Sequence, residues 1–182
     1  MKLPKQKYCS CCGAEVTFII PEGDNRERAV CNKCEAIFYE NPKIVAGCLL
    51  EDNDKILLCK RATEPRSGYW TLPAGFLENN ETVEEGALRE TWEEANAKAS
   101  DVKLFMMCNL PHISQIYMMY HGKLLDGKFS PGIESSDVKL FLKKEIPWGE
   151  LAFTVIEKTL KAYYKDVEKN HIGIHFDTII KK

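Results

Sequence analysis

Several features are missing from this 182-residue sequence, and each absence excludes a class of protein. No apolar run approaches the roughly 20 residues that a membrane-spanning helix requires, so we expect no membrane segment. The opening Met-Lys-Leu-Pro-Lys-Gln-Lys shows no apolar core of a secretory signal, which predicts a cytoplasmic protein. Basic charge is not in excess either, because 25 basic residues against 27 acidic ones give a formal charge of −2. Nucleic acid is therefore not an expected partner, since that affinity rests largely on neutralising phosphates.

The composition of the sequence is typical of a chain that folds around a hydrophobic core. Hydrophobic residues make up 45% of the sequence and charged residues 29%, which is enough to bury a core. The length suits one domain of ordinary size, or one domain with a small appendage.

Cysteine is abundant, and four of the eight cysteines form two pairs. Both pairs have the form C-x2-C, and eighteen residues separate them: Cys9 with Cys12, and Cys31 with Cys34. This spacing is typical of a zinc ribbon, in which two tight turns present four thiolates to one Zn²⁺ ion. A segment of about 40 residues with so few apolar residues rarely stays folded without a stabilising element such as a bound metal ion. We therefore assign residues 1–41 to a small zinc-ribbon β module.

The other four cysteines are interpreted separately. Cys11 lies inside the first pair and could compete as a ligand, although a C-x-C pairing with Cys9 is the less favoured arrangement. Gly13 follows that pair at a place where a metal-carrying turn often needs a positive φ. The remaining three stand in apolar runs, where free cysteine usually behaves as a small buried hydrophobic residue; they are Cys48, Cys59 and Cys108.

The texture of the sequence changes near residue 42, and we assign residues 42–182 to a second domain of the α/β or α+β class. Its hydrophobic patterning predicts two helices among several strands. The expected strands are 43–51, 55–61, 101–109, 114–125 and 138–143; the expected helices are 82–95 and 152–169; and 66–80 is expected to be a loop. The tail, 172–180, could add an edge strand or a dimer contact.

The first of these helices is unusually rich in carboxylates. Glu90, Glu93 and Glu94 fall within an arc of roughly 100° on a helical wheel. Val83, Ala87 and Thr91 form an adjacent uncharged stripe, which predicts that this side packs inward and draws the glutamates with it. Clustered carboxylates on a rigid element suit Mg²⁺ or Mn²⁺. Pattern alone leaves open the alternative of a solvated glutamate face.

The loop before this helix and the helix itself resemble the Nudix box, G-x5-E-x7-R-E-U-x-E-E-x-G-U with U a bulky apolar residue. Six residues carry the resemblance in register: Gly75, Glu81, Arg89, Glu90, Glu93 and Glu94. Two positions depart from the pattern, because Thr91 occupies an apolar position and Asn96 replaces the last glycine. Asn is the next best residue for the left-handed conformation that ends many helices. The resemblance implies an α/β/α sandwich with a mixed sheet.

The same resemblance implies a Nudix diphosphatase that hydrolyses a nucleoside diphosphate linked to another moiety with Mg²⁺ or Mn²⁺. Glu90, Glu93, Glu94 and the Gly75 carbonyl would be the metal ligands. Glu81 and Arg89 would support the box. The expected general base is Glu134, with Asp137 as the second choice.

A zinc ribbon before a Nudix domain is similar to two groups of enzymes. The NADH pyrophosphatase type carries Ser-Gln-Pro-Trp-Pro-Phe-Pro after the box, which is absent here. The chain resembles the ADP-ribose and FAD pyrophosphatases more closely. The alternatives are NADH hydrolysis, an RNA-cap hydrolase and an inactive nucleotide sensor. A homodimer is an expectation by analogy alone.

Candidate substrate contacts come from the first half of the second domain. Tyr69 and Trp70 are expected to stack on a base or flavin, and Arg61 and Arg66 to pair with phosphates. For these four residues, loop packing and surface charge are the alternatives. His112 and Tyr117 could line the pocket, although a histidine near a strand is more often only packed there.

Overall fold

Two units make up the chain: Met1–Pro42 and Lys43–Lys182. The computed structural model describes residues 6–180; the first five residues, on which the expected lack of a signal segment partly rests, lie outside the described residues. Between residues 6 and 180, no helix has the length and apolar character needed to cross a membrane.

The first unit is a three-stranded antiparallel sheet. Its strands are β1 (Val16–Ile19), β2 (Arg28–Cys31) and β3 (Ile37–Phe38), and β2 lies in the middle. Residue 16 of β1 pairs with residue 31 of β2, so the sheet begins next to the second cysteine pair.

The second unit is a mixed sheet between two helices. In chain order its elements are β4 (Lys43–Asp52), β5 (Lys55–Arg61), β6 (Trp70–Thr71), β7 (Ala74–Phe76), α1 (Val83–Ala95), β8 (Lys98–Leu110), β9 (Gln115–Leu125), β10 (Ser135–Leu142), α2 (Thr154–Glu168) and β11 (His175–Thr178). The strand order is β10-β5-β4-β9-β8-β11. The β4–β9 and β8–β11 pairs are parallel and the others are antiparallel.

Two separate cores cover the two faces of this sheet. Leu57 and Cys59 of β5 face a core that includes Ala87 of α1. Ile56 and Leu58 face the opposite core, which includes buried residues of α2. Because both faces are buried, β4 and β5 read as continuous apolar runs rather than as alternating ones. The expected α/β/α sandwich is confirmed, as is the burial of Cys48, Cys59 and Cys108.

Both predicted helices are confirmed to within two residues at each end, and the tail forms the edge strand β11 parallel to β8. The prediction of a loop over 66–80 is wrong in part. This segment contains β6, which pairs with β5, and β7, which pairs with β4. Each makes only two or three residue pairs, which is too short for a recognisable period-2 pattern.

The short strands β6 and β7 fill a gap in the sheet, and their place in this gap determines where the segment leading into α1 lies. Strand β4 pairs with β5 only at its last two residues, Glu51 and Asp52. Its earlier residues, Val45 to Gly47, pair with β7 instead. The two long strands therefore diverge, and the segment that leads into α1 lies between them.

Candidate active site

The helix α1 has a defined beginning and end. Thr82 caps its N-terminus by accepting a hydrogen bond from the Glu85 N–H at 3.2 Å, and the Glu85 carboxylate accepts one from the Thr82 N–H at 2.7 Å. This reciprocal pair is a capping box. At the other end Asn96 has φ 45° and ψ 32°, which confirms the expected left-handed conformation. These two caps fix where the glutamates of α1 stand.

Arg89 and Glu81 form a clamp over the first half of the helix. The guanidinium donates to both carboxylate oxygens of Glu81, at 3.0 and 2.9 Å, and to the Phe76 carbonyl at 3.1 Å. The hydrogen bonds from Arg89 hold the pKa of Glu81 at about 2. Bidentate pairing of this kind fixes geometry as well as charge, so the clamp joins the loop after β7 to α1.

The uncharged stripe of α1 packs inward as predicted. Ala87 and Thr91 are fully buried, and Val83 packs against the same core. The Thr91 hydroxyl donates to the Ala87 carbonyl at 2.7 Å, one turn earlier. A buried polar atom is costly only without a partner, which explains why threonine is accommodated at an apolar position.

This packing carries one glutamate into the interior. Glu94 is only 6% exposed, and its carboxylate accepts a hydrogen bond from the Ala74 N–H at 3.3 Å. No ion pair between described residues includes it. Burial raises the pKa of Glu94 to about 8. Burying a carboxylate without a cation is costly, so Glu94 is a group that a metal ion would stabilise.

Glu90 and Glu93 stand beside it and share one partner. Both carboxylates accept from the same nitrogen of Arg89, at 2.8 and 3.0 Å. Glu90 is half-buried, and burial raises its pKa against the opposing effect of Arg89. The Glu93 side chain is 54% exposed, so it has room to change rotamer.

The three glutamates do not form a closed cluster in this arrangement. Among the described residues, the only group of three or more cysteine, histidine or acidic ligands with atoms all within 4.8 Å of one another is formed by cysteines. The donor set still fits Mg²⁺ or Mn²⁺, because it consists of oxygen atoms and the buried Glu94 carboxylate forms no ion pair with a described residue.

Gly75 brings backbone against this carboxylate cluster. It lies on β7, and a Cβ placed there would sit 2.3 Å from an oxygen of Glu90. Any side chain at this position would displace Glu90. The glycine therefore allows the backbone of β7 and the Glu90 carboxylate to approach one another.

The loop before β10 is joined to the C-terminal end of α1. The Ser130 N–H donates to the Ala95 carbonyl at 2.8 Å, and the Gly132 N–H to the Glu94 carbonyl at 3.0 Å. A Cβ at Gly132 would lie 1.7 Å from the Glu93 carbonyl oxygen. The sequence analysis did not predict that this loop contacts α1. The Pro131-Gly132 pair shortly before Glu134 was the sequence feature that could have indicated it.

Of the two candidate bases, this loop brings Glu134 to the glutamates. Its negative charge contributes to raising the pKa of both Glu90 and Glu94. Asp137 lies on β10 and pairs with Lys139 at 2.5 Å. Glu134 therefore interacts electrostatically with the glutamates, whereas Asp137 is engaged in an ion pair.

The four expected substrate contacts separate into different environments. Arg61 is close enough to Glu94 to lower its pKa electrostatically, and its guanidinium lies 5.4 Å from the Phe153 ring. Arg66 is exposed, and its guanidinium lies 5.1 Å over the half-buried ring of Tyr69. Arg61, Arg66 and Tyr69 thus keep part of their surface exposed to solvent, although Arg61 also donates to the Pro65 carbonyl at 2.9 Å.

Trp70 is different, because it belongs to the core. It is 6% exposed and meets Phe141 edge-on at 4.8 Å. A buried ring has no face left to stack on a base, so we remove Trp70 from the proposed substrate contacts. Strand β6 pairs with β5, and this pairing places the large apolar Trp70 side chain in the core beside α2.

The two weaker candidates lie in different environments. His112 is exposed, and its Nδ1 lies 3.2 Å from the Ile179 carbonyl oxygen, next to β11. Tyr117 is half-buried against the α2 core, and burial raises its pKa. Tyr117 therefore contributes to packing in this structure.

In the first unit the four paired cysteines converge. The Sγ atoms of Cys9 and Cys34 lie 3.6 Å apart, those of Cys12 and Cys31 lie 3.4 Å apart, and all four lie within 4.8 Å of one another. A tetrahedral ion with Zn–S bonds of about 2.3 Å requires such sulfur spacings. The donor set fits Zn²⁺.

The two cysteine turns share one backbone design. Gly13 N–H donates to the Cys9 carbonyl and Glu35 N–H to the Cys31 carbonyl, at 2.9 and 3.2 Å. Gly13 has φ 73°, as predicted, and Glu35 has φ 59°. Cys11 is exposed and lies outside the cluster, and its N–H donates to the Cys9 sulfur at 3.3 Å. Its backbone, rather than its thiol, contributes to the site.

Comparison with known proteins gives two family matches. Residues 41–159 match the family model described as NUDIX domain, and residues 7–40 match the zinc-ribbon model described as Nudix N-terminal.

Individual relatives cover most of this chain. An ADP-ribose pyrophosphatase of Methanocaldococcus jannaschii is 27% identical over 87% of this chain and 96% of its own length. The NAD-capped RNA hydrolase NudC of Photobacterium profundum is 26% identical over 87% of this chain, which spans only 59% of that relative. The crystal structure of a NUDIX hydrolase from Nitrosomonas europaea has a TM-score of 0.93 and 51% identity, and the alignment covers 97% of this chain and 100% of that one.

Proposed function

Because the chain belongs to the NUDIX family, we propose that it hydrolyses the pyrophosphate bond of a nucleoside diphosphate linked to another moiety. ADP-ribose is the first candidate substrate and FAD the second, and the products are two phosphate monoesters. One observation carries this proposal: Glu94 is a buried carboxylate that forms no ion pair with a described residue, and it interacts electrostatically with Glu90, Glu134 and Arg61.

The proposed roles follow from the positions of these side chains. Glu90, Glu93, Glu94 and the Gly75 carbonyl would hold Mg²⁺ or Mn²⁺, and the ion would neutralise pyrophosphate charge and activate water. Arg89 and Glu81 would keep α1 in place against the loop after β7.

The remaining groups would act on water and substrate. Glu134 would take the proton of the attacking water, since its loop stands next to the glutamates. Arg61 and Arg66 would pair with phosphate oxygens, and Tyr69 would contact the base. The protein's contribution is then positioning and charge neutralisation.

A second candidate substrate is NADH or an NAD-linked RNA end. The similarity to NudC favours it, whereas the absence of the Ser-Gln-Pro-Trp-Pro-Phe-Pro segment argues for ADP-ribose. With either substrate the first unit would hold a structural Zn²⁺. The support is that Cys9 and Cys31 are buried and that their sulfur atoms cluster with those of Cys12 and Cys34.

A substrate panel tests the proposed reaction. ADP-ribose, FAD, NADH and an NAD-capped oligonucleotide are incubated with the full chain and Mg²⁺ or Mn²⁺, beside Glu94→Gln. We expect ADP-ribose to give the highest kcat/KM, and the variant to lose at least about a hundredfold in kcat. The matched control is Glu84→Gln, which changes an exposed acid in the first turn of α1. Equal rates for Glu94→Gln and wild type would refute the reaction as proposed.

A further inference from the structure

A cavity of about 590 Å³ lies on the α2 side of the second unit and takes no part in the proposed reaction. Its walls come from α2 and from the segment between β10 and α2. Six of its lining residues carry the argument below: Lys143, Lys144, Trp148, Lys161, Tyr164 and Lys165. The glutamates of α1 belong to the opposite face of the sheet.

The cavity concentrates positive charge in a chain whose formal charge is −2. Four lysines line it and Glu168 is its one acidic residue. Lys143 pairs with that glutamate at 2.6 Å. Lys144 and Lys165 form no ion pair with any described residue. Two ammonium groups are thus left uncompensated at one cavity.

This arrangement is unfavourable for the helix alone. Lys161 and Lys165 are four residues apart on α2, where like charges repel each other. Only Lys161 has an acidic partner on the helix, Glu157 at 2.5 Å. An anion between the lysine side chains would remove this repulsion.

Aromatic rings form the other part of the wall. Trp148 and Tyr164 meet at a centroid distance of 6.4 Å, and the Lys143 ammonium lies 5.2 Å from the Tyr164 ring. Tyr164 is 7% exposed, and its buried hydroxyl has no hydrogen-bond partner among the described residues. That hydroxyl has no accessible surface, so Tyr164 contributes its ring rather than its oxygen to the wall of the cavity.

We propose that this cavity is a second, non-catalytic site that binds a nucleotide phosphate. The base would lie on Trp148, and the phosphate would pair with Lys144 and Lys165. The cavity has the size of sites that enclose small ligands. Indole is a favourable stacking surface for a base, and paired ammonium groups suit a phosphate.

Isothermal calorimetry of the full chain titrated with AMP, without added Mg²⁺ or Mn²⁺, tests this inference. We expect saturable binding that weakens at least about tenfold in Lys144→Glu/Lys165→Glu. The matched control is Lys103→Glu/Lys123→Glu, which makes the same change of charge at another cavity, of about 550 Å³. The control should keep its affinity within about twofold, since neither Lys103 nor Lys123 lines the proposed site.

Three outcomes would overturn the proposal: no AMP binding, equal loss in both double variants, or no loss in either. Lys144→Gln/Lys165→Gln repeats the test if charge reversal prevents folding, as judged by circular dichroism. Adenosine and ribose 5-phosphate should each bind at least about tenfold more weakly than AMP, because each lacks one half of the ligand. If adenosine or ribose 5-phosphate bound with an affinity comparable to that of AMP, the site would not consist of a base-binding part and a phosphate-binding part.

A final arm distinguishes a free nucleotide from the end of an RNA. A 5′-phosphorylated oligoribonucleotide should bind no more tightly than AMP and with the same weak salt dependence. A steep salt slope and much tighter binding would assign the surface to nucleic acid instead. Hydrolysis is not read in any arm, so failure here leaves the proposed reaction standing.

Discussion

At the scale of single residues, Glu94 and Gly75 carry the chemistry that we propose for the second unit. Glu94 is buried by the packing of α1, and burial raises its pKa to about 8. Gly75 leaves room for the neighbouring Glu90 against the backbone of β7. A helix face and a glycine two positions after Pro73 thus bring carboxylate and backbone groups together.

The variant Gly75→Ala tests this close approach. Its Cβ would lie 2.3 Å from a Glu90 oxygen, so we expect a loss of about 1–3 kcal/mol in the free energy of unfolding. Activity should fall with it, because Glu90 must move. Urea denaturation and initial rates measure the two effects. Gly149→Ala is the matched control, since no atom lies within 4 Å of a Cβ built there; equal stability of both variants would contradict the account.

Sequence reasoning succeeded at some residues and failed at others for a physical reason. Charge spacing on a helix is a local property, and it identified the position of the glutamates relative to the buried stripe. Whether an aromatic ring faces solvent or core depends on contacts that are distant in sequence. Trp70 packs against Phe141, 71 residues later in the chain, so its burial could not be deduced locally.

At the scale of elements, the caps explain how well α1 was predicted. A threonine followed three residues later by glutamate marks its start, and an asparagine in the left-handed region marks its end. The short strands β6 and β7 carry no comparable local signal. They exist because β4 and β5 diverge and leave their backbone groups to be paired.

The tail strand β11 is tied to α2 by Asp166, and this gives a pH prediction. Burial would raise the pKa of Asp166, but hydrogen bonds from the Gly173 N–H and from His175 outweigh it, so the pKa is lowered. A lowered pKa stabilises the fold above the unfolded value of 3.8, and the contribution is lost as pH falls through the folded pKa.

We therefore expect Asp166→Asn to be less stable than wild type by about 1–2 kcal/mol at pH 6, because a charged hydrogen-bond acceptor is lost. The difference should shrink below pH 3. Urea denaturation at several pH values measures it. Asp126→Asn, a change at an exposed turn, is the control, and a difference that stays constant from pH 6 to pH 2.5 would argue against this role of Asp166.

At the scale of the whole molecule, the two units would use metal ions for different purposes. The first unit has three short strands and a cysteine cluster, whereas the second has two apolar cores of its own. In the first unit a metal would replace the missing core, and in the second it would serve the reaction.

This division predicts what zinc removal does. Cys31→Ser should lower bound zinc from about one ion per chain to near zero, and β1–β3 should lose protection from hydrogen exchange. Strands β4, β5 and β9 should keep theirs, because their cores contain no ligand. Cys11→Ser should bind zinc normally, since that thiol lies outside the cluster. Zinc loss in Cys11→Ser, or full protection of β1–β3 in Cys31→Ser, would refute the assignment.

The central claim is that the glutamates of α1 bind the catalytic ion. The most direct test is a titration of the full chain with Mn²⁺ in which electron paramagnetic resonance measures the unbound ion. The account predicts that Glu94→Gln weakens Mn²⁺ binding by at least about tenfold. Glu84→Gln should leave the affinity unchanged, because its side chain is an exposed acid near the start of the same helix. Equal Mn²⁺ affinity in Glu94→Gln and wild type would contradict the central claim.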